Sequence, residues 1–337
     1  MVLLLMEGFS EKLEISNFLT TLTVNNPLKL AGPDGMSAYQ ATPFQTSSMT
    51  ITWTIPDIVS NNVLYFGLWS NELSEFRLNC NGQSGIFPYF SFNSVSSASS
   101  VNGVPISAGW HWFEFRIEKI TTPSVSYSVQ ARVDGQQFIN STPNLTTMFS
   151  GTSGEFQFSR SASSGNTTQR YAGLVVWNGT AGDQFNNWMG PMRIDTLRPN
   201  GNGYLNEWLG SDGNSIDNYA MVNETPPSTL EYVESSVDGQ RDMYKFPNIG
   251  VGLKPLAMQS TSYAQKNGLN LRSFKPIIRQ NDGEATQEVI SPESVLGSAP
   301  RATKSSLITK NLITNAPLAR ADLTQFEFGV ETSTPPP

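Results

Sequence analysis

The chain has 337 residues, a formal net charge of −7, 15% charged and 11% aromatic residues, one histidine and one cysteine. A lone Cys80 permits neither an intrachain disulfide nor a multi-cysteine metal site, and a net negative charge argues against a nucleic-acid partner, which clustered Lys and Arg would hold. No stretch approaches the roughly 18 consecutive apolar residues of a membrane span, and the abundance of Ser, Thr, Asn and Gly fits an all-β protein rich in turns.

Residues 1–11, "MVLLLMEGFSE", carry an apolar run broken at Glu7 and no basic flank, so they predict a first strand and not a signal peptide. Period-2 alternation then dominates to about residue 190. "SSMTITWTIP" places Met49, Ile51, Trp53 and Ile55 on one face and Thr50, Thr52 and Thr54 on the other. In "GWHWFEFRIE" (109–118), His111, Phe113, Phe115 and Ile117 share a face, with Trp110, Trp112, Glu114 and Arg116 opposite. "YSVQARVDGQQF" buries Tyr127, Val129, Ala131 and Val133, exposes Ser128, Gln130 and Arg132, and turns at Asp134-Gly135, a strong hairpin signal. "GEFQFSRS" buries Phe156 and Phe158, and "YAGLVVWNG" alternates less cleanly, as a strand covered on both faces does. With no sustained helical period, two sheets packed face to face are the natural way to bury these strands.

Past about residue 190 the character changes. All seven tryptophans lie at or before Trp208, and 250–337 is too poor in large apolar groups to build a full core alone. The strand-like pieces "LAMQSTSYA", "LRSFKPIIR" and "FEFGVET" predict extended strands or arms that complete a sheet or lie along a partner. Residues 183–242 hold ten acidic side chains against three basic, and 243–310 hold nine basic against four acidic. The uneven charge is either solvated surface or a docking device, in which the basic segment, through residues such as Lys275 and Arg279, meets an acidic face of this or a neighbouring subunit.

Two resemblances follow from these stretches. The "GWH" strand followed by a strand ending in Val133-Asp134-Gly135 resembles laminin-G and concanavalin A-like jelly rolls over about residues 1–190. "MRIDTLRPNGNGYLNEW" (192–208), "VNETPPSTLEYVESSVDGQRDMYKFPNI" (222–249), "LRSFKPIIR" (271–279) and "ARADLTQFEFGVE" (319–331), with Met6-Glu7-Gly8-Phe9 near the start, resemble a recurrent virion protein of tailed phages. The expected architecture is all-β, a concanavalin A-like jelly-roll sandwich over 1–191 and a β-rich attachment or assembly region over 192–337 with an extended arm from about 250. In place of the glycine- and arginine-bearing stretch usual before the late strand stands "AQKNGLNLRS".

Chemistry is sought with little return. A histidine-dependent triad could draw its base only from His111, whose core-facing position suits a packed strand residue better. The Glu-x-Asp-x-x-Glu signature of concanavalin A-like glycoside hydrolases is absent, and Glu114 and Glu118 around Arg116 read as a salt-bridged solvent-facing strand. "GPDG" (32–35) and "NGTAGD" (178–183) read as turns and not calcium loops. No catalytic residue, metal site or cofactor is therefore expected. The outer face of Trp112, Glu114 and Arg116 remains a candidate for stacking on a sugar or for burial by a partner.

The resemblance implies a non-enzymatic structural component of a tailed-phage particle, at the tail fibre, baseplate, neck or capsid exterior. Other virion proteins and further copies of the chain would be its partners, with the virion as its location. The alternative is a carbohydrate-binding adhesin that recognises host surface polysaccharide through the jelly roll, and a polysaccharide-degrading enzyme ranks last.

Overall fold

The computed structural model describes the strands up to Asn178 with a few flanking positions, then Phe185, and continuously 187–224 and 227–335. The chain forms two units, Met1–Thr196 and Leu197–Pro337. Both are built from strands. Among the described residues helix is confined to short 3-10 turns such as Asn218–Val222 and Arg320–Gln325, and none is long and apolar enough to cross a membrane.

In the first unit the strands are β1 (Leu3–Glu7), β2 (Leu19–Val24), β3 (Leu28–Ala31), β4 (Ser37–Gln40), β5 (Ser48–Thr54), β6 (Val63–Asn71), β7 (Glu75–Asn79) and β8 (Tyr89–Ser91). They continue as β9 (Ser99–Val101), β10 (Val104–Ile106), β11 (Trp110–Ile120), β12 (Ser126–Val133), β13 (Gln136–Ser141), β14 (Ser153–Ser159) and β15 (Arg170–Asn178). One sheet runs β13-β12-β11-β6-β15-β4-β3 with β1 also on β15, and a second runs β2-β5-β14-β7-β8. Two antiparallel sheets whose neighbours come from distant parts of the chain make the two-sheet sandwich expected from the alternation, the jelly roll that the resemblance implies.

Alternation explains the inner face of the first sheet. Phe113, Phe115 and Ile117 of β11 pair with Leu68, Phe66 and Leu64 of β6, and Phe66 and Phe115 stack with centroids 4.6 Å apart. All six are buried. Full burial of side chains this size stabilises by about 1.5–3 kcal/mol each, which makes this row a principal source of the unit's stability. Ala131 and Val133 are buried as expected, whereas Ser128, expected in solvent, is also buried. The side chains of Met49, Ile51, Trp53, Ile55, Cys80, Tyr127, Val129, Phe156 and Phe158 lie outside the described residues.

In the second unit the strands are β16 (Gly201–Asn206), β17 (Leu209–Gly210), β18 (Val233–Glu234), β19 (Arg241–Lys245) and β20 (Thr261–Ala264). There follow β21 (Ser273–Asn281), β22 (Thr286–Ile290), β23 (Ser294–Val295), β24 (Arg301–Lys304) and β25 (Phe326–Ser333). The main sheet runs β16-β19-β25-β21-β22, with β23 also on β21. Residues beyond 250 thus complete a sheet begun by 201–206 and 241–245, and β25 enters it as a central strand. The shared core explains how an aromatic-poor segment folds: Ile278, Ile308, Leu318 and Phe326 cluster with Met258, Val289, Leu312 and Phe328 packed against them.

Pro276 sits inside β21 without breaking it. It pairs with Val330 of β25, and on its other side the ladder passes from β22 to β23, where Ser291 N–H donates to the Pro276 carbonyl. The missing proline N–H therefore falls at the gap between two short edge strands, where a ladder donor is least needed.

Candidate functional site

The outer face of β11 is covered by the chain itself, which corrects the expectation that Trp112 and Glu114 meet a sugar or a partner. Trp112 and Glu114 are 0% and 1% exposed. The cover is the irregular segment 187–194, which docks across the sheet through polar groups along its length. Trp177 Nε1 donates to the Asn187 carbonyl at 3.2 Å and Trp69 Nε1 to the Met192 carbonyl at 2.7 Å. The Met189 and Gly190 N–H groups donate to Glu114 Oε1 at 2.8 and 3.0 Å. Phe185 and Met192 are buried beside them.

Beneath this strap the aromatic residues form a continuous layer. Trp112 packs edge-on to Trp69 at 5.6 Å, and its ring crosses β6 at Gly67, where a Cβ would lie 2.4 Å from Trp112 Cζ2. Tyr65 stacks on Trp177 at 5.5 Å and meets Trp188 edge-on at 5.6 Å. Arg132 caps the outer end, 4.3 Å over the Trp188 ring. Burial pushes the Glu114 carboxyl above the ordinary glutamate range, against the pull of the Met189 and Gly190 amides and the Arg132 guanidinium. Arg116 does pair with Glu118, at 2.8 Å, and its Nε donates to Tyr65 Oη at 3.2 Å. Glu114 stands apart from that pair, so the three-residue salt-bridged row expected from sequence reduces to Arg116 and Glu118.

His111 serves the hairpin. Its Nδ1 lies 2.6 Å from Asp134 Oδ2, while Asp134 Oδ1 accepts the Trp112 N–H at 2.9 Å and the Asp134 N–H donates to the Trp112 carbonyl at 2.8 Å. Asp134 and Gly135 both take positive φ, 48° and 82°, as a primed two-residue turn requires. The "GWH" and "VDG" motifs are therefore one device: the histidine and the strand backbone clamp the turn aspartate.

The second unit carries a balanced charge lattice on one face of its sheet, and it contains Lys275 and Arg279. Register places Arg241, Glu331 and Lys275 in one row, and Lys245, Glu327, Arg279 and Glu288 in another. Arg241 contacts Glu331 at 2.7 Å and Glu288 at 3.1 Å; Arg279 contacts Glu327 at 3.2 Å and Glu288 at 3.8 Å; Lys275 lies 3.6 Å from Glu331. Arg272 reaches Asp238 at 2.9 Å. Arg272–Asp238 alone of these pairs joins an acid of 183–242 to a base of 243–310, and the two residues expected to bridge subunits, Lys275 and Arg279, pair with Glu288, Glu327 and Glu331 of their own sheet.

Tyr204, not singled out by any motif, completes the lattice. Its ring covers the Arg279 guanidinium at 4.1 Å. Its hydroxyl donates to Glu288 Oε1 and accepts from Arg241 Nη1, each at 3.1 Å.

On the opposite face Asp242 is fully buried. Tyr244 Oη donates to it at 2.5 Å, and Asn218 Nδ2 lies 3.0 Å from both of its oxygens. Burial pushes the carboxyl up to about 6, and burial, with the neighbouring carboxylate, pushes the Tyr244 hydroxyl up. Alternation alone places an aspartate between Arg241 and Met243 on some face; only the neighbours reveal that it is the core.

No protein-family model matches the chain, and no curated protein does. Among solved structures, it is similar to an endo-β-1,4-glucuronan lyase from the fungus Trichoderma reesei, with 14% identity over 48% of this chain and 92% of that one, TM-score 0.29. A protein of unknown function from Shewanella oneidensis MR-1 aligns over 51% of this chain and 83% of its own, with 13% identity and TM-score 0.32. The tandem CBM22 domains of Xyn10C from Paenibacillus barcinonensis align over 99% and 91%, with 12% identity and TM-score 0.28. Superpositions at these scores define neither fold nor activity; the fold rests on the strand order above.

Proposed function

We propose that the chain is a structural protein of a tailed-phage particle that acts by association with other virion proteins and with further copies of itself. One observation carries this reading. The four stretches that resemble a phage virion protein contribute β16, β19, β21 and β25, which are consecutive neighbours in one sheet. A resemblance scattered over 140 positions of sequence by chance has no reason to assemble into one contiguous structural module.

Association also has a surface to use. Ile216, Leu230, Val251 and Leu269 are 82%, 83%, 90% and 101% exposed, and Leu271 is 57% exposed. Removing such side chains from water stabilises a contact by about 1.5–3 kcal/mol each, a contribution that offsets part of the roughly 4–15 kcal/mol that association costs. Light scattering of the full chain, alone and mixed with the other virion proteins, tests the proposal. The expected result is a defined oligomer or complex that Leu269→Asp with Leu271→Asp dissociates. A monomer inert toward every virion protein would contradict it.

A further inference from the structure

We propose that the outward face of Tyr204 is a stacking platform for a neutral sugar ring, a site independent of the particle role above. An ordinary surface tyrosine is mobile and must be ordered when a ligand binds, which costs affinity. Tyr204 is already fixed: Glu288 and Arg241 hold its hydroxyl from two sides, at 3.1 Å each. Its own N–H donates to Glu327 Oε2 at 3.3 Å, and the Arg279 guanidinium backs one ring face. The Arg279 side chain is only 12% exposed while Tyr204 is 41% exposed. The ring therefore shields the cation with one face and presents the other to solvent.

The surroundings select the ligand. Three cations, Arg241, Lys275 and Arg279, interleave with three carboxylates, Glu288, Glu327 and Glu331, in contacts of 2.7–3.8 Å. The charges of these six cancel, and the exposed Lys245 at the end of one row is offset by Glu293, which accepts from Ser273 and Ser333 and lies within electrostatic reach of Lys275, so the face holds no surplus attraction for a phosphate or a polyanion. It offers instead both acceptors and donors at the rim of an apolar plate, the arrangement that orients a hydroxyl-rich ring whose C–H face lies on an aromatic. Ile290, 48% exposed on β22, shares this face, because it pairs with Ile277 in the register that sets Glu288 against Arg279. It adds a second exposed apolar side chain to the face that carries Tyr204.

The test uses the full chain on an array of neutral oligosaccharides, with cellohexaose, maltohexaose, laminarihexaose and bacterial-surface hexopyranose polymers immobilised beside their uronic-acid and phosphorylated counterparts. The wild type is expected to retain at least one neutral glycan in preference to the charged ones. Tyr204→Ala should weaken that binding roughly five-fold or more, and Tyr204→Phe, which keeps the aromatic face but loses the hold on its hydroxyl, should fall between that variant and wild type. Should Tyr204→Ala fail to fold, Tyr204→Leu, which covers Arg279 without an aromatic face, replaces it. No retention of any neutral glycan, or retention unchanged in Tyr204→Ala, overturns the proposal. So does a Tyr204→Ala protein that loses only its association with virion proteins, which would make the platform a protein contact.

Discussion

Asp242 is expected to contribute stability to the second unit in mild acid that is lost at neutral pH. The carboxyl is fully buried, and its partners are the neutral donors Tyr244 and Asn218, with the Glu207 carboxylate adding repulsion and no cation among the groups that set its titration. Its ordinary value of 3.8 rises to about 6 in the folded chain. A raised carboxyl favours the protonated folded state, so its stabilising contribution is complete below pH 3.8 and is lost as pH climbs through about 6. At about 1.4 kcal/mol per pH unit between those values, the loss is ~3 kcal/mol. For a unit of this size that is roughly 8 °C in Tm. Asp282 and Glu293 are held below the ordinary carboxylate range by hydrogen bonds and pull the opposite way, so the diagnostic quantity is the difference between wild type and Asp242→Asn. Calorimetry of the full chain at pH 4 and pH 7.5 should show that the variant lacks this component of the pH dependence. Identical pH profiles for the two proteins would refute the assignment of Asp242 as the responsible group.

Other perturbations read the rest of the structure. Glu114→Ala deprives the Met189 and Gly190 N–H groups of their acceptor, at about 1.5–3 kcal/mol for each bond to a charged group. Acrylamide quenching of tryptophan fluorescence and proteolysis within 187–192 should both rise, whereas Glu114→Gln, which keeps an oxygen there, should change little; unchanged quenching in the alanine variant would show that the strap does not depend on Glu114. Gly67→Ala drives a methyl group into the Trp112 ring and should cost about 1–3 kcal/mol in urea unfolding by overpacking, an expectation that a wild-type midpoint would contradict. Arg279→Glu places a third carboxylate beside Glu288 and Glu327 and should destabilise the second unit by roughly 3 kcal/mol. If instead it left unfolding untouched and disturbed only assembly, Arg279 would belong to an intersubunit contact after all.

Much of the first unit was legible because its signals are local. Strand β11, the Asp134-Gly135 turn and the inner row of Phe113, Phe115 and Ile117 all follow from period-2 alternation and turn chemistry. Alternation assigns two faces but does not say what covers the second, and 187–194 has no periodicity to announce that it lies across Trp69, Trp112 and Trp177. Alternation therefore leaves the Trp112 face to a sugar or a partner, whereas the chain itself buries it. In the second unit the strands at 271–279 and 326–331 were legible, but their order was not. Pairings such as Arg241 with Glu331 join residues 90 apart, and a charge count over two segments cannot separate an intrachain lattice from a docking surface. Tyr204 and Asp242 escaped notice for the same reason: their environments are made wholly by distant residues.

The central claim, that this chain is a building block of a tailed-phage particle, is tested most directly by quantitative mass spectrometry of density-purified particles. The expected result is peptides from both 1–196 and 197–337 in fixed stoichiometry with the other structural proteins, resistant to salt washing. Particles that are complete and infectious while lacking the chain, with the protein recovered only from the host cell lysate, would contradict it.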